Sequence, residues 1–376
     1  MKTGGIIAEY NPFHNGHLYQ INKLKDVCDA VVIAMSGSFV QRGDVAVTDK
    51  FTRAKAAVDF GADLVVEIPV AYALSSAKQF AYGGVAILQK LGIDTLCFGA
   101  ENEDISDLLT AAEILENETI EQAEEIKSML QSGYSYPAAV TKVFTNIKNE
   151  LLTKPNNILA VEYIRACRSL KFNPDFLPIK RFMTEHDSDT TSGIFASASH
   201  IRKCIVNNKA YSDYIPDYKI TDIRSITELQ NAIIADIRIK KYDFFAPNAD
   251  IPESIKNKII KSAIVCSSFS ELVDLSKTKS VTAARIRRSI LNAYLGIYAD
   301  ICKSPVSYIR VLAMNKTGAK ILKNTKNIDI ITKAADYKTE NKSFSADISS
   351  TDIASLCGKR KKGATDYTVS PYFKNI

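Results

Sequence analysis

Four short apolar runs, each closed by a turn residue and followed by helical spacing, dominate the first hundred residues and leave few folds open. The runs are GGIIAE (4–9), DAVVIAMS (29–36), DLVVEI (63–68) and DTLCF (94–98); Asn11-Pro12, Ser36-Gly37, Pro69 and Gly99 end them. Between them, residues 15–27 place Leu18, Ile21 and Leu24 on one helical face. Residues 48–60, opened by Thr48 as a cap, and residues 75–91 also read as helices. Strands that alternate with helices at this spacing predict an α/β domain with a parallel sheet and right-handed crossovers. Residues 101–131 and 133–170 read as helical, with a break at Lys154-Pro155-Asn156-Asn157; residues 176–182 read as a strand and 186–199 as a loop. Beyond about residue 205 the alternation stops and helical patterns dominate. The division expected is an α/β domain over 1–204 and a mainly helical domain over 205–376.

At 376 residues and 46% apolar composition, the chain can build cores for two such domains. No apolar run approaches the roughly 20 residues that cross a bilayer, and MKTGGIIAEYNPF lacks the long apolar stretch of a signal peptide. A cytoplasmic location is the expectation, with no membrane and no obligate protein partner. The seven cysteines are odd in number, widely spaced and without a CxxC pair, which argues against a disulfide framework and a zinc cluster. Net charge is +6, but residues 301–376 hold 14 Lys+Arg against 6 Asp+Glu, a local balance of +8, so the rest is about −2. That region is either a solvated surface or a basic face for a polyanion such as RNA. Its densest run is Lys359-Arg360-Lys361-Lys362. Upstream, Arg285, Arg287 and Arg288 form a second cluster, with the same two readings.

The chemistry concentrates where the first strand ends. GGIIAE runs into Tyr10-Asn11-Pro12-Phe13, and His14-Asn15-Gly16-His17 opens a helix. Ligands of open parallel sheets bind at the carboxyl ends of the strands, and a helix N-terminus offers N–H groups and a positive dipole to phosphate. Gly16 lets backbone approach a ligand, and two histidines three residues apart share a face. Their imidazoles can stabilise charge on a phosphoryl group during in-line attack at the α-phosphorus. A pair of surface histidines or a zinc pair would leave the same trace, though no further Cys, His or carboxylate suggests itself as a zinc ligand. The stretch Ser36 to Asp44 lies at the same sheet edge, as a loop over a substrate or as a structural cap. Lys50 and Arg53 share a helical face turned toward phosphates or solvent.

HNGH resembles the (H/T)xGH signature of the nucleotidyltransferase superfamily. The longer pieces IIAEYNPFHNGHLYQ (6–20), MSGSFVQRGDVAVTDKFTRAKAA (35–57), GADLVVEIP (61–69), FGAEN (98–102), GYSYPAA (133–139), KPNNILAVEYI (154–164) and FASASHIRK (195–203) resemble the tRNA(Met) cytidine acetate ligases. The similarity continues more weakly through 277–297 and 308–322, so it covers most of the chain. It implies a Rossmann-like, HUP-type nucleotidyltransferase domain followed by a mainly helical domain that binds tRNA. It also implies a reaction: ATP, arriving with magnesium and with no metal held by the protein, activates acetate as acetyl-adenylate. The acetyl group then passes to the wobble cytidine of elongator tRNA(Met), giving N(4)-acetylcytidine. By the same resemblance Ile7, Ala8, Glu9, Tyr10, Asn11, Pro12, Phe13, His14, Asn15, Gly16, His17, Leu18, Tyr19 and Gln20 form the ATP loop, with His14 and His17 catalytic. Gly99, Asn157 (with Asn156 as the lesser choice) and Arg181 are further ATP contacts, and Ser197, Ser199 and Arg202 fall on a second phosphate loop. The loop FASASHIR is poorer in Ser and Thr than the ISST-type pattern, and Ala100 and Ala160 stand where Ser and Gly are common. A small-molecule nucleotidyltransferase and a non-catalytic RNA-binding protein are the alternatives. The long basic C-terminal half speaks against the first and the intact HNGH against the second.

Overall fold

Residues 3–100 fold as β1 (Thr3–Ala8), α1 (Asn15–Lys25), β2 (Ala30–Ser36), a hairpin of β3 (Phe39–Val40) and β4 (Asp44–Val45), α2 (Lys50–Asp59), β5 (Leu64–Ile68), the single turn α3 (Val70–Ala73), α4 (Ala77–Lys90) and β6 (Thr95–Ala100). Helices α5 (Ile105–Glu116), α6 (Ile120–Gln131), α7 (Tyr136–Val143) and α8 (Pro155–Ser169) lead to β7 (Asp175–Lys180) and α9 (Ala198–Val206). A helical stretch follows: α10 (Gln230–Lys240), α11 (Glu253–Val265), α12 (Phe269–Ser276) and α13 (Ala283–Tyr294). The chain then returns through β8 (Tyr308–Asn315), α14 (Lys316–Asn324), β9 (Asp329–Ile331), α15 (Lys342–Ser355), the turn α16 (Thr365–Thr368) and β10 (Tyr372–Lys374). This computed structural model describes all residues except 102, 103, 149, 181–192, 249, 250, 299, 302, 303 and 376.

The sheet runs β10-β8-β5-β2-β1-β6-β7, with β9 beside β8. Pairing is parallel throughout except between β5 and β8. Burial on both faces explains the unbroken apolar runs: every residue of β2 and of β5 is buried. On β1, Gly4 and Gly5 admit neighbouring side chains, since a Cβ would stand 2.6 Å from Leu24 and 2.5 Å from Ile93. The order turns around at β1: chain-successive strands lie to one side up to β5, then β6 pairs on the other side. Such a switch point opens a crevice at the carboxyl edge between β1 and β6.

Helices α10 to α13 form a second apolar core around Ile233, Ile237, Phe245, Ile259, Leu272, Ile286 and Ile290. Phe39 and Val45 of the small hairpin, and Val70 and Leu74 at the two ends of α3, belong to that same core, so hairpin and helices pack as one body. The helical spacing beyond 205 gives no hint of β8, which inserts its chain antiparallel against β5. In YIRVLAMN a charged residue interrupts the apolar run, as on an amphipathic helix; here Arg310 is buried, its Nη1 donating to the Thr332 carbonyl at 3.0 Å. The sheet thus takes strands from both sides of residue 205. Asp49, not Thr48, caps α2: its carboxylate accepts the Thr52 N–H at 2.8 Å, while the Thr48 carbonyl serves Arg53. The six described cysteines are free and buried. Among the described residues no helix is long and apolar enough to cross a membrane.

Candidate active site

After β1 the chain turns sharply through Tyr10, which has φ +47° although it is not glycine. A bulky residue in that region is strained and persists only where packing fixes it. The Tyr10 ring is fully buried, 4.9 Å from Phe13 and 4.6 Å from His17 (ring centroids), and burial pushes the pKa of its hydroxyl upward. His14 caps α1 from an extended backbone, and the cap is reciprocal. His14 Nδ1 accepts the Gly16 N–H at 3.1 Å, and the His14 N–H donates to His17 Nδ1 at 3.3 Å. The rings stack at 3.6 Å between centroids. With both Nδ1 atoms accepting, each neutral imidazole carries its proton on Nε2, the tautomer that makes a donor. Gly16 has a second reason to be glycine: a Cβ there would lie 2.9 Å from His14 Cε1, so any larger residue displaces the capping ring.

The loop is tied down from several sides. Asn11 is buried; its Oδ1 accepts the Val47 N–H at 2.8 Å and its carbonyl accepts from Arg202 Nη1 at 2.8 Å. Asn15 Nδ2 donates to the carbonyls of Ile194 and Asp213, each at 2.9 Å, and the Tyr218 hydroxyl donates to the Phe13 carbonyl at 2.9 Å. Gln20 reaches Cys97 Sγ on β6 at 3.7 Å, and Leu18 and Ala8 pack on the same core. Tyr19 meets Phe195 edge to face at 6.3 Å. Two helix N-termini, those of α1 and α9, are thereby drawn to one place.

The second-loop residues divide by task. Ser197 is the N-cap of α9 and accepts the His200 N–H at 3.1 Å, so its oxygen serves the helix. Ser199 accepts from Arg202 Nη2 at 3.1 Å, and the same guanidinium fastens α9 to the Asn11 carbonyl. Gly99 lies near the carboxyl end of β6, beside Ile179 of β7. Asn157, 1% exposed at the start of α8, accepts the Glu101 N–H at 2.9 Å, while its own N–H donates to Glu101 Oε2 at 3.0 Å. Asn156 Nδ2 donates to Glu101 Oε1 at 2.5 Å. Both asparagines therefore grip the end of β6 through Glu101. Arg181 lies outside the described residues.

Lys50 and Arg53 meet neither phosphate nor solvent. Arg53 is fully buried; its Nη1 donates to the carbonyls of Glu9 (2.7 Å) and Ser36 (3.0 Å), its Nη2 to that of Gly37 and its Nε to that of Thr48. It clamps the chain where β1 and β2 end. Burial lowers its pKa to about 10, still far above neutrality. Lys50 donates to both oxygens of Glu67 (2.8 and 2.7 Å) and to Asp366 at 3.0 Å. Burial acts to lower its pKa, but the two carboxylates outweigh it and hold the ammonium above the ordinary lysine value. Nothing in the local sequence separates such buried cations from surface ones; the acids that hold Lys50 stand 17 and 316 residues away.

The two basic clusters both reach this side of the molecule. Arg285 is exposed on α13, but Arg288 is half-buried and donates to the Gln41 carbonyl at 2.8 Å. Burial, with the charge of Arg285, lowers its pKa to about 10. The run Lys359 to Lys362 is an exposed loop between α15 and α16. Its Lys359 N–H donates to Asp222 at 3.0 Å and Lys361 pairs with Glu228 at 3.3 Å. Two residues beyond Asp222, the Arg224 N–H donates to the Val47 carbonyl at 2.9 Å, and Val47 in turn holds Asn11. Among the described residues no group of three or more His, Cys, Asp or Glu is placed to hold a metal.

A stacked histidine pair thus caps a helix at the switch point of a parallel sheet, where sheets of this kind bind ligands. The HIGH Nucleotidyl Transferase family model matches residues 1–368. The tRNA(Met) cytidine acetate ligase of Thermoanaerobacter sp. (strain X514) is 37% identical over 98% of this chain and 99% of its own length. That of Clostridium novyi (strain NT) is 36% identical over 99% and 100%. The chain belongs to the tRNA(Met) cytidine acetate ligase family. Solved structures agree: Thermotoga maritima TmcAL bound with alpha-thio ATP superposes with a TM-score of 0.88 at 28% identity, covering 99% of each chain. The apo form of that protein gives 0.90 with the same identity and coverage. The ligase fold is therefore shared over the whole length, from the HNGH crevice to the C-terminal strands.

Proposed function

We propose that this chain is an ATP-dependent ligase that joins acetate to AMP and then passes the acetyl group to N4 of the wobble cytidine in elongator tRNA(Met). The observation that carries the reading is the histidine pair: each Nδ1 is occupied by a backbone N–H, so each ring is fixed as an Nε2–H donor. Neutral donors suit charge that builds on the phosphoryl oxygens only as acetate attacks the α-phosphorus. One acetate oxygen bonds to phosphorus, the bond to pyrophosphate breaks, and acetyl-adenylate remains. A free carboxylate has no good leaving group, whereas the mixed anhydride has AMP. ATP enters as its magnesium complex through the crevice between β1 and β6, with Gly99 and Asn157 on the β6 side and Arg202 on the α9 side. The tRNA lies across the face that carries Arg285 and the loop Lys359 to Lys362, which supplies sequence-independent phosphate attraction.

Purified protein given acetate, ATP and tRNA(Met) should form N(4)-acetylcytidine, detected by mass spectrometry of the nucleosides, and release AMP and pyrophosphate in equal amounts. Acetyl-coenzyme A without ATP should not replace the pair. Acetylation from acetyl-coenzyme A alone, or release of ADP and phosphate, would falsify the adenylate route.

A further inference from the structure

Adenylation leaves the β3–β4 hairpin without a task, yet its placement is closely determined. The Gln41 N–H donates to Glu9 Oε1 at 2.9 Å, and the Gln41 carbonyl accepts from Arg288 on α13 at 2.8 Å. Gly43 has φ +76°, and a Cβ there would stand 2.5 Å from Arg287 Cβ and 2.8 Å from the Arg288 backbone nitrogen. Only glycine lets the hairpin seat on α13 this closely. The seating sets two charged side chains on either side of the junction. Asp44 is half-buried and spends Oδ1 on the Val45 N–H at 2.8 Å. Arg287 is half-buried, and its Nε is shut off from solvent with no acceptor among the described residues. A buried cationic N–H without an acceptor is rare and costly.

The two groups feel one another without closing an ion pair. Burial pushes the Asp44 carboxyl above the ordinary carboxylate range, and Arg287 pulls hardest against that push. Arg202 on α9 pulls the same way, and Glu9, at the end of β1, pushes upward. Cys357, after α15, also lies within electrostatic reach. The segment around Asp44 is tied by its backbone to the chain that follows β1, Gln41 N–H to Glu9 Oε1 before it and Val47 N–H to Asn11 Oδ1 after it, so the hairpin sits beside the loop that carries His14 and His17.

Among the described residues, a carboxylate with no ion-pair partner beside a guanidinium whose Nε lacks an acceptor matches one nucleobase edge. Cytosine offers the N4 amino donor next to the N3 and O2 acceptors. Uracil would set its O4 acceptor against the carboxylate. Building on the function proposed above, we propose that Asp44 and Arg287 clasp the Watson–Crick edge of the target cytidine, and that Asp44 accepts the proton its amino group sheds. The N4 lone pair attacks the acetyl carbonyl and the C–N bond forms. One N4 proton passes to Asp44 Oδ2, and the C–O bond to phosphate breaks, its electron pair leaving with AMP. Asp44 then returns the proton to solvent. Delocalisation into the ring makes this amine a weak nucleophile, so a positioned acceptor and orientation both matter.

The two half-reactions separate the proposal from its premise. In Asp44→Asn, single-turnover transfer from preformed enzyme-bound acetyl-adenylate to tRNA should fall about a hundredfold or more. Acetate-dependent ATP–pyrophosphate exchange without tRNA should fall no more than a few-fold. Asp44→Glu should recover part of the transfer rate, and Arg287→Met should lose transfer with the hairpin's backbone contacts retained. Wild-type transfer should slow as pH drops through the raised Asp44 pKa, and Asp44→Asn should lack that slope. Equal loss in both half-reactions, unchanged transfer, or a pH slope retained in Asp44→Asn overturns the proposal while leaving adenylation intact. Absence of acetate-dependent exchange in the wild type overturns the premise itself.

Discussion

Helices α1 and α2 start at the same edge of the sheet, and each carries a pair of basic side chains one helical turn apart. Their fates are opposite. His14 and His17 close the cap of their own helix through Nδ1, which puts the ring proton on Nε2. Lys50 and Arg53 are wholly buried and spent on carboxylates and strand-end carbonyls. Full charges here hold the scaffold, and the chemistry proposed above is assigned to neutral rings. The difference makes physical sense: a fixed cation bound to its own fold has nothing left to give a transition state, while a preorganised neutral donor costs little before charge develops.

That contrast is open to direct attack. The largest effect should come from Lys50→Ala, which leaves Glu67 without its cation and Asp366 with Arg310 alone; removing one member of a buried ion pair costs about 3–5 kcal/mol. Chemical denaturation measures it, and a loss below about 1 kcal/mol would mean that the network does not hold the fold. Next comes His17→Ala. Losing one preorganised donor should lower acetate-dependent ATP–pyrophosphate exchange about a hundredfold or more, with His14→Ala equal or milder. Near-normal exchange in a folded variant of either would move the chemistry elsewhere. The smallest effect belongs to exposed charge: Arg285→Glu, or reversal across Lys359 to Lys362, should weaken tRNA binding and flatten its salt dependence by about one unit of log–log slope per lost phosphate contact. Exchange without tRNA should not change, and an unaltered tRNA affinity would assign these residues to plain solvation.

How much of this was legible in the chain follows the same line. The strands of the N-terminal half declare themselves because each is buried on both faces and stops at a turn residue, and HNGH announces the crevice because it combines strand, turn and helix start within a few residues. Gly16 was readable as a close-approach residue, although the ring it makes room for belongs to His14. What sequence could not convey were long-range partners. Asn157, with Asn156 as the lesser choice, resembles a nucleotide contact; that the two also bond Glu101, 56 and 55 residues away, is nowhere written in the local sequence. Arg288 read as surface charge, yet Gln41, 247 residues distant, holds it half-buried. The strand β8 hid behind Arg310, whose Nη2 lies 3.6 Å from Asp366 in the buried network. Amphipathic spacing reports which side is polar, not whether water or another segment lies there.

The inserted strand also bears on how the molecule comes into being. Lys50 leaves the ribosome 316 residues before Asp366, which completes its network, and β5 leaves long before β10, which pairs with β8. A nascent chain must carry the edge of β5 unpaired for some 240 residues of synthesis before β8 closes it at Leu64 to Met314. An exposed apolar edge of that kind is a template for wrong pairings. Throughout that stretch the growing polypeptide needs protection that a strand still to be synthesised eventually provides.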